Sequence, residues 1–525
     1  MRWLHALTAW YRVPTRDLLI GAALFGLALW VGLGHVATTQ FHRDEARWVG
    51  RAYFIEELFN PGSETWADAE LTRNQPPLAS YLMGVGLVVQ GRDPNTTPRN
   101  LLYDFGRSER WNQLRGRIPA TEDISAGRRT DSFVGAALIL LVYTVARRLT
   151  NRVGGTIAAL ALIPNPLYIY LSSLANSDML LTVCVVAAAA AGLALARRPT
   201  WWRAVLLGVM LGLGTSTKLS PMLVAVVVAA YGVLLLVANQ PWRRRDDEDR
   251  IRLGMGLMLM TVPFTAFATF VLSYPYLWAD PIRRIIYMFE FRSSEMENQG
   301  ELWQDRQVAG TFDAIERLRQ RMAEQFSVSS WLSGEVRERI GWGWTLPDAD
   351  LLLGAAGFGL LFLLAAHYGL RSPHALVILL LGSQVAVTIA GLQADFERYY
   401  LPILATFAIA FGVLIGQLWD WRQPVFGFAR HRLRRRSGQV SQVTDGALTP
   451  VSGGLLSRYR QRVRPGGHGV PSAPSSVTLT AARTTPDRPP AAAPATTAFR
   501  TLVVSVVLAV TAVVAQMVAV TRSRQ

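Results

Sequence analysis

Polar and apolar positions along the chain alternate in long blocks, not at the short spacing of a soluble helix or strand. A helix that crosses a bilayer needs about 20 mostly apolar residues, fewer when its flanks snorkel. Eleven stretches meet that requirement: 17–38, 131–146, 153–172, 179–196, 203–217, 221–238, 253–275, 349–366, 374–393, 399–418 and 500–520. The pattern predicts a helix across the membrane at each. Residues Pro77–Val89 are also apolar but short, and counting them as a span would reverse the side of every later connector. They are read as a helix lying in or against the outer leaflet. Two long segments remain between spans, 39–130 and 276–348, and each carries apolar residues at helical spacing. Trp48, Ala52, Ile55 and Phe59 form one stripe; Phe312, Ile315, Leu318, Met322 and Phe326 form the other, with Arg317, Arg319 and Arg321 between them. Such stripes suit helices at a membrane surface or packed on the protein itself.

Charge then orients the spans. With the N-terminal Arg2, Arg12 and Arg16 on the cytoplasmic side, Arg147/Arg148/Arg152, Arg197/Arg198/Arg203, Arg243/Arg244/Arg245 and Arg371 all fall inside too. This is the positive-inside rule met at every short connector. Residues 39–130 and 276–348 are then exoplasmic, and the first span stays in place as a signal anchor. From 419 to 498 the chain has twelve Arg against three Asp, and from 437 it is rich in Ser, Thr, Pro, Gly and Ala. It reads as a basic, disordered cytoplasmic segment suited to the anionic inner leaflet. Residues 499–525 read as a last membrane helix.

Composition agrees and narrows the class. Of 525 residues, 51% are hydrophobic and 17% charged, against a usual charged share of about 25%. The formal net charge is +16, yet its arginines sit beside apolar runs and form no single basic face, so nucleic acid is not an expected partner. The lone cysteine, Cys184, excludes a disulfide framework within the chain and any Cys-rich metal site.

Ionisable residues at membrane depth are costly, which makes the survivors candidates for function. Asp44 and Glu45, in Phe41-His42-Arg43-Asp44-Glu45, follow the outer end of the first span. They suit a base site, or simply an acidic cap on the next helix. Asn74-Gln75-Pro76-Pro77 sets the entry to the short apolar helix. Lys218, at a span end in Thr217-Lys218, is the only lysine; the other 52 basic residues are arginine, which points to a need for a compact ammonium. Asp178 and Arg398 open two further spans on the same side, and Arg128 precedes another. An ion pair between Arg128 and Asp178 is the expected structural use of those two. Carboxylates and cations around one outer-leaflet cavity suit chemistry on a lipid-linked phosphate, with a carboxylate taking a hydroxyl proton and cations holding the phosphate that leaves.

In order along the chain stand Asp44-Glu45, Pro76-Pro77-Leu78, Arg128 seven residues before Gly135, Asn176-Ser177-Asp178, Thr217-Lys218, Tyr274-Pro275-Tyr276-Leu277-Trp278-Ala279-Asp280-Pro281 and Arg398-Tyr399-Tyr400-Leu401-Pro402. Over about 15–418 this resembles the GT-C glycosyltransferases of the protein O-mannosyltransferase and lipid A aminoarabinose transferase type. The resemblance implies an all-α polytopic fold, with 1–418 as the catalytic module. It implies an inverting enzyme of the plasma membrane, active on the exoplasmic side, that moves a hexose or pentose from a polyprenyl-phosphate-linked donor to a hydroxyl-bearing protein, lipid or glycan. By the same similarity Asp44 is the base and Glu45 its neighbour. Lys218 and Arg398 face the donor phosphate, and Arg128, Asp178 and Asn74-Gln75-Pro76-Pro77 support the site. Asn74-Gln75 stands where His or Lys often precedes the diproline. The resemblance settles no cofactor; some members of the family bind a divalent cation near the acidic motif, and Asp44, Glu45, Glu56 or Glu57 could do so here, but no spacing argues for it. A transporter of lipid-linked sugars is the alternative, and it would want its charges at the bilayer midplane.

Overall fold

A computed structural model describes residues 14–238, 247–325 and 349–440. Among them the only departure from helix and loop is one isolated antiparallel bridge, between Gln307 and Ala394. The chain is a multi-pass membrane protein. Eight described helices are long and apolar enough to span a bilayer, nine when the bent pair Arg152–Leu162 and Pro166–Ser172 counts as one span. The expected count of eleven spans is therefore not confirmed among the described residues. The stretch 203–217 forms the helix Trp201–Thr215, about 22 Å long at 1.5 Å per residue, against a hydrocarbon core of about 30 Å. At its end the Thr215, Ser216 and Thr217 hydroxyls donate to the carbonyls of Leu211, Gly212 and Gly214, and the latter two carbonyls also accept from Ser216 N and Lys218 N. The span expected at 500–520, the tail from 441, and loop residues 326–348 lie outside the described residues.

The described residues up to Asp420 form one compact unit, and the site lies within it; Trp421–Val440 belong to a second. The axis of the first unit is α1, Thr121–Leu149. Glu122 and Asp123 in its first turn and Arg147 and Arg148 in its last match the helix dipole at both ends. At about 43 Å it is longer than the hydrocarbon core is thick. At the far end Asp17 is buried and binds Arg152 at 2.7 Å, Arg147, and the Tyr143 hydroxyl at 3.2 Å. Arg128 and Arg147 are about 28 Å apart along this helix by the same rise, so the two ion clusters mark opposite ends of the bundle.

The break in the bent pair has a local cause. Pro166 cannot continue the preceding helix, and Asn165 Oδ1 restarts one by accepting from Leu167 N at 3.0 Å. The resulting bend is 73°.

The short apolar helix α2, Leu78–Val89, packs against α1 and buries Ala79, Tyr81, Met83 and Leu87, while Val85, Val88 and Val89 stay exposed. Its Gly84 and Gly86 are needed for that approach: a Cβ would meet the Ala52 carbonyl and Ile55 at the first, and Thr130 at the second. The first amphipathic stripe is interrupted. Arg43–Gly50 and Phe54–Glu57 are separate helices, with Trp48 and Ala52 buried but Phe59 87% exposed. The second stripe divides likewise, with Leu318 and Met322 buried while Phe312 and Ile315 face out from the helix Thr311–Gln320.

Candidate active site

The site is assembled where the segments on either side of α2 meet the segment 276–306. Tyr274-Pro275-Tyr276-Leu277-Trp278-Ala279-Asp280-Pro281 makes the join. Tyr276 donates to Asp68 at 2.6 Å, and Tyr274 donates to the Thr72 carbonyl. Asp280 then caps the helix α3, Pro281–Leu302, by accepting from Arg283 N, with Pro281 at its first position. The diproline docks on the opposite wall, because Leu78 N donates to the Ser216 carbonyl at 2.9 Å beside Lys218. Between these pieces opens a cavity of about 1190 Å³. His42, Arg43 and Asp44 line it from one side, Arg292, Glu295 and Trp303 from the second, and Phe396 with Arg398 from the third.

Asp44 and Glu45 are adjacent in sequence but have different surroundings. Glu45 is fully buried and its oxygens are fully engaged. Arg128 grips it with Nε to Oε1 and Nη2 to Oε2, both 2.7 Å, while Ala175 N (3.1 Å) and His42 N (3.0 Å) supply the rest. Arg128 also donates to the carbonyls of Val36, Thr39 and Gln40. This bidentate pair ties the end of the first span, the Arg43–Gly50 helix and α1 together. Asp44, by contrast, is on the cavity wall and forms an ion pair with Arg398.

The expected pair of Arg128 with Asp178 is thus replaced by two others. Arg128 takes Glu45, and Asp178 Oδ1 accepts from Lys218 Nζ at 2.5 Å. Sequence spacing places these groups at one depth but does not give the rotation of each helix about its axis. The turn holding Asp178 is fixed by carboxylates from two sides: Glu45 binds Ala175 N and Asp131 Oδ2 binds Asn176 N at 2.7 Å. Asn176 Oδ1 in turn accepts from Asp178 N at 2.6 Å.

The cations converge on one ring. Lys218 Nζ lies 4.6 Å from the centre of Tyr399, the Arg398 guanidinium carbon lies 5.5 Å from it, and Arg292 Nη2 donates to its hydroxyl at 3.0 Å. Arg292 also pairs with Glu295 at 2.9 Å. With its amide oriented to satisfy both ends, Asn74 donates to Glu295 Oε2 (2.9 Å) and accepts from Arg47 Nη1 (2.6 Å). Asn74 therefore braces the wall, whereas Gln75 lines the cavity and its carbonyl holds the buried Arg51 at 2.9 Å. Arg47 and Arg51 are both pulled below the usual guanidinium range by burial. Arg292, Tyr399, Glu295 and Asp131 were not among the sequence candidates. Arg292 stands in no motif, and its only sequence signal is the i, i+3 pairing with Glu295 on a helix. Tyr399 sits inside a recognised motif whose Arg398 took the attention.

No group of three or more His, Cys, Asp or Glu able to hold a metal ion occurs among the described residues. The four carboxylates named for a cation do not fit one: Asp44 pairs with Arg398, Glu45 is saturated by Arg128, and Glu56 and Glu57 both bind Arg99.

Removing the charge from Glu45 tests the buried pair. Glu45→Gln leaves the Arg128 guanidinium buried without its counter-charge, and the expected loss of stability is about 3–5 kcal/mol. Thermal unfolding in detergent measures it; an unchanged transition would mean that the carbonyl ring around Arg128 suffices.

Fold and site together define a helical, multi-pass membrane protein with a carboxylate and several cations converging on one end of the bundle. Residues 123–270, which include Arg128, Asp178 and Lys218, match the family model described as dolichyl-phosphate-mannose-protein mannosyltransferase. No curated protein sequence matches the chain. Among solved structures, it is similar to the apo oligosaccharyltransferase of Archaeoglobus fulgidus at 14% identity, covering 80% of this chain and 52% of that one, with a TM-score of 0.46. It is similar to ArnT from Cupriavidus metallidurans bound to undecaprenyl phosphate at 15% identity, covering 79% and 63%, TM-score 0.45. The protein O-mannosyltransferase Pmt1-Pmt2 complex of S. cerevisiae, bound to the sugar donor, is matched at 17% identity over 51% and 35%, TM-score 0.37. The chain spans about half the length of the oligosaccharyltransferase.

Proposed function

We propose that this protein is an inverting glycosyltransferase that moves a sugar from a polyprenyl-phosphate donor to a hydroxyl acceptor on the exoplasmic face of the plasma membrane. One observation carries the reading: Asp44 stands on the cavity wall against Arg398, and Arg398 and Lys218 share the Tyr399 ring. A base and two phosphate-sized cations are thereby within one substrate's reach of each other. Asp44 takes the proton of the acceptor hydroxyl as its oxygen bonds to the anomeric carbon. The bond from that carbon to the phosphate oxygen breaks, and its electron pair leaves with the polyprenyl phosphate, which Arg398, Lys218 and Arg292 neutralise. A phosphate held this way leaves without needing an acid, so one carboxylate suffices for inversion. Glu45, Arg128, Asp131, Asp178 and Asn74 keep these groups in place.

The family match over 123–270 supports a hexose, and mannose is the first donor to try. The test is transfer from polyprenyl-phosphate mannose to a hydroxyl acceptor by the purified, reconstituted protein, with release of polyprenyl phosphate in equal amount. Loss of a hexose from the cell-envelope glycans of a deletion strain would identify the acceptor class. Donor moved across vesicles without cleavage would instead favour the transporter.

Sidedness has its own check. With Cys184→Ala as background, single cysteines at Ser63 and Ser475 are expected to differ toward an impermeant thiol reagent in intact cells, the first labelled and the second protected. Equal labelling would reject the proposed topology.

A further inference from the structure

His42 lines the cavity two residues before Asp44, with its side chain 40% exposed, and the mechanism above gives it no task. Its protonation pattern is set by geometry. Nδ1 lies 3.2 Å from the backbone N of Asp44, a donor that always carries its hydrogen, so Nδ1 must present a lone pair. It therefore cannot also donate to Asp44 Oδ2, 3.6 Å away. The ring is then neutral, with its one hydrogen on Nε2, and no described protein group accepts from that nitrogen. The surroundings agree. Burial, then Arg398, push the imidazole down to about 4 from 6.5, and Arg43 on the same helix adds to this; Glu45 and Asp178 oppose them without prevailing.

A neutral N–H fixed beside the base has a restricted choice of partners. The phosphate already faces three cations on the Tyr399 side. A bond donated to the attacking oxygen would blunt it as a nucleophile. Two oxygens close to the anomeric carbon remain: the ring oxygen, whose lone pair supports the oxocarbenium-like transition state and would be withdrawn by a donated bond, and the hydroxyl on the neighbouring ring carbon, where hydrogen bonds tighten as glycosyl transfer proceeds. We infer that His42 is a specificity-determining residue whose Nε2–H donates to the 2-hydroxyl of the transferred sugar. This rests on the glycosyltransferase reading of the same cavity.

The experiment compares polyprenyl-phosphate mannose with its 2-deoxy counterpart, as donors for the wild-type protein, His42→Phe and His42→Asn. Asn keeps an acceptor for the Asp44 N–H and hence the helix cap, so it guards against a folding artefact. Wild type is expected to prefer the parent donor. Both variants are expected to lose about 10- to 100-fold in kcat/KM with the parent donor and little with the deoxy donor, so that the preference collapses. Neutrality sets the pH range. Because folding lowers this pKa, protons bind His42 more weakly in the folded state, and the neutral ring persists until pH falls toward about 4. The wild-type preference should then be flat from about pH 8 to about pH 5, with no step at the usual imidazole value. Equal losses on both donors, or a preference that survives His42→Asn, would overturn this role alone. A wild-type protein that cleaves neither donor would overturn the transferase reading itself.

Discussion

Asp44→Asn is expected to lower turnover by about 100- to 10,000-fold while donor binding and folding persist, the range a positioned general base supplies. Asparagine keeps the shape and can still accept a hydrogen bond, but it does not take a proton at neutral pH. Because Asp44 is on the cavity wall and Glu45 is not, the two neighbouring substitutions should separate cleanly. Asp44→Asn slows chemistry in a stable protein; Glu45→Gln destabilises the protein whatever it does to the rate. The pair with Arg398 sharpens the expectation. An arriving phosphate competes with Asp44 for that guanidinium, so in the variant, which offers the phosphate no such rival, donor should bind at least as tightly as in wild type. Single-turnover rates and donor titration on the purified variant measure both quantities. Turnover within a few-fold of wild type would place the base elsewhere.

The membrane helices were legible because a bilayer writes its thickness into the chain as runs of apolar residues. The same signal does not give exact helix length: the run 203–217 forms only Trp201–Thr215, which still leads from Arg203 beside Arg198 to Lys218 beside Asp178 at the opposite end of the bundle. It left Pro77–Val89 outside the set of spans, and the helix there has 12 residues and packs on α1. In the site, residue type and end-of-span position brought out Asp44, Glu45, Lys218, Arg398, Arg128 and Asp178, and the fold gathers all six at one end. Which carboxylate meets which cation was not legible. That depends on helix rotation and on loop paths, and Arg128 reaches back to Glu45 across 83 positions. Arg292 and Glu295 escaped for the same reason, because their importance lies in a hydrogen-bond chain that runs to Asn74, far away in sequence.

Lys218→Ala and Arg398→Ala are each expected to cost about 100- to 1,000-fold in kcat, the range for removing one preorganised group from a developing oxyanion. Both cations are held ready on the Tyr399 ring, and neither is free to drift: Asp178 grips Lys218, and Phe396 lies 5.2 Å under Arg398. Charge develops on the phosphate as the sugar leaves, so the loss should fall on the chemical step more than on binding of the resting donor. Lys218→Arg should recover only part of it. A guanidinium is larger and presents a planar fork, and beside Asp178 that fork would turn two of its N–H groups to the carboxylate and away from the phosphate. The converse change, Arg398→Lys, should also fail, since a compact ammonium cannot reproduce the guanidinium's simultaneous contacts with the Phe396 and Tyr399 rings. Donors with better leaving groups separate this role from a structural one. If the cations serve the departing phosphate, a donor whose leaving group needs less stabilisation should narrow the gap between wild type and Lys218→Ala. A gap that stays constant across leaving groups would return Lys218 to a purely architectural partnership with Asp178.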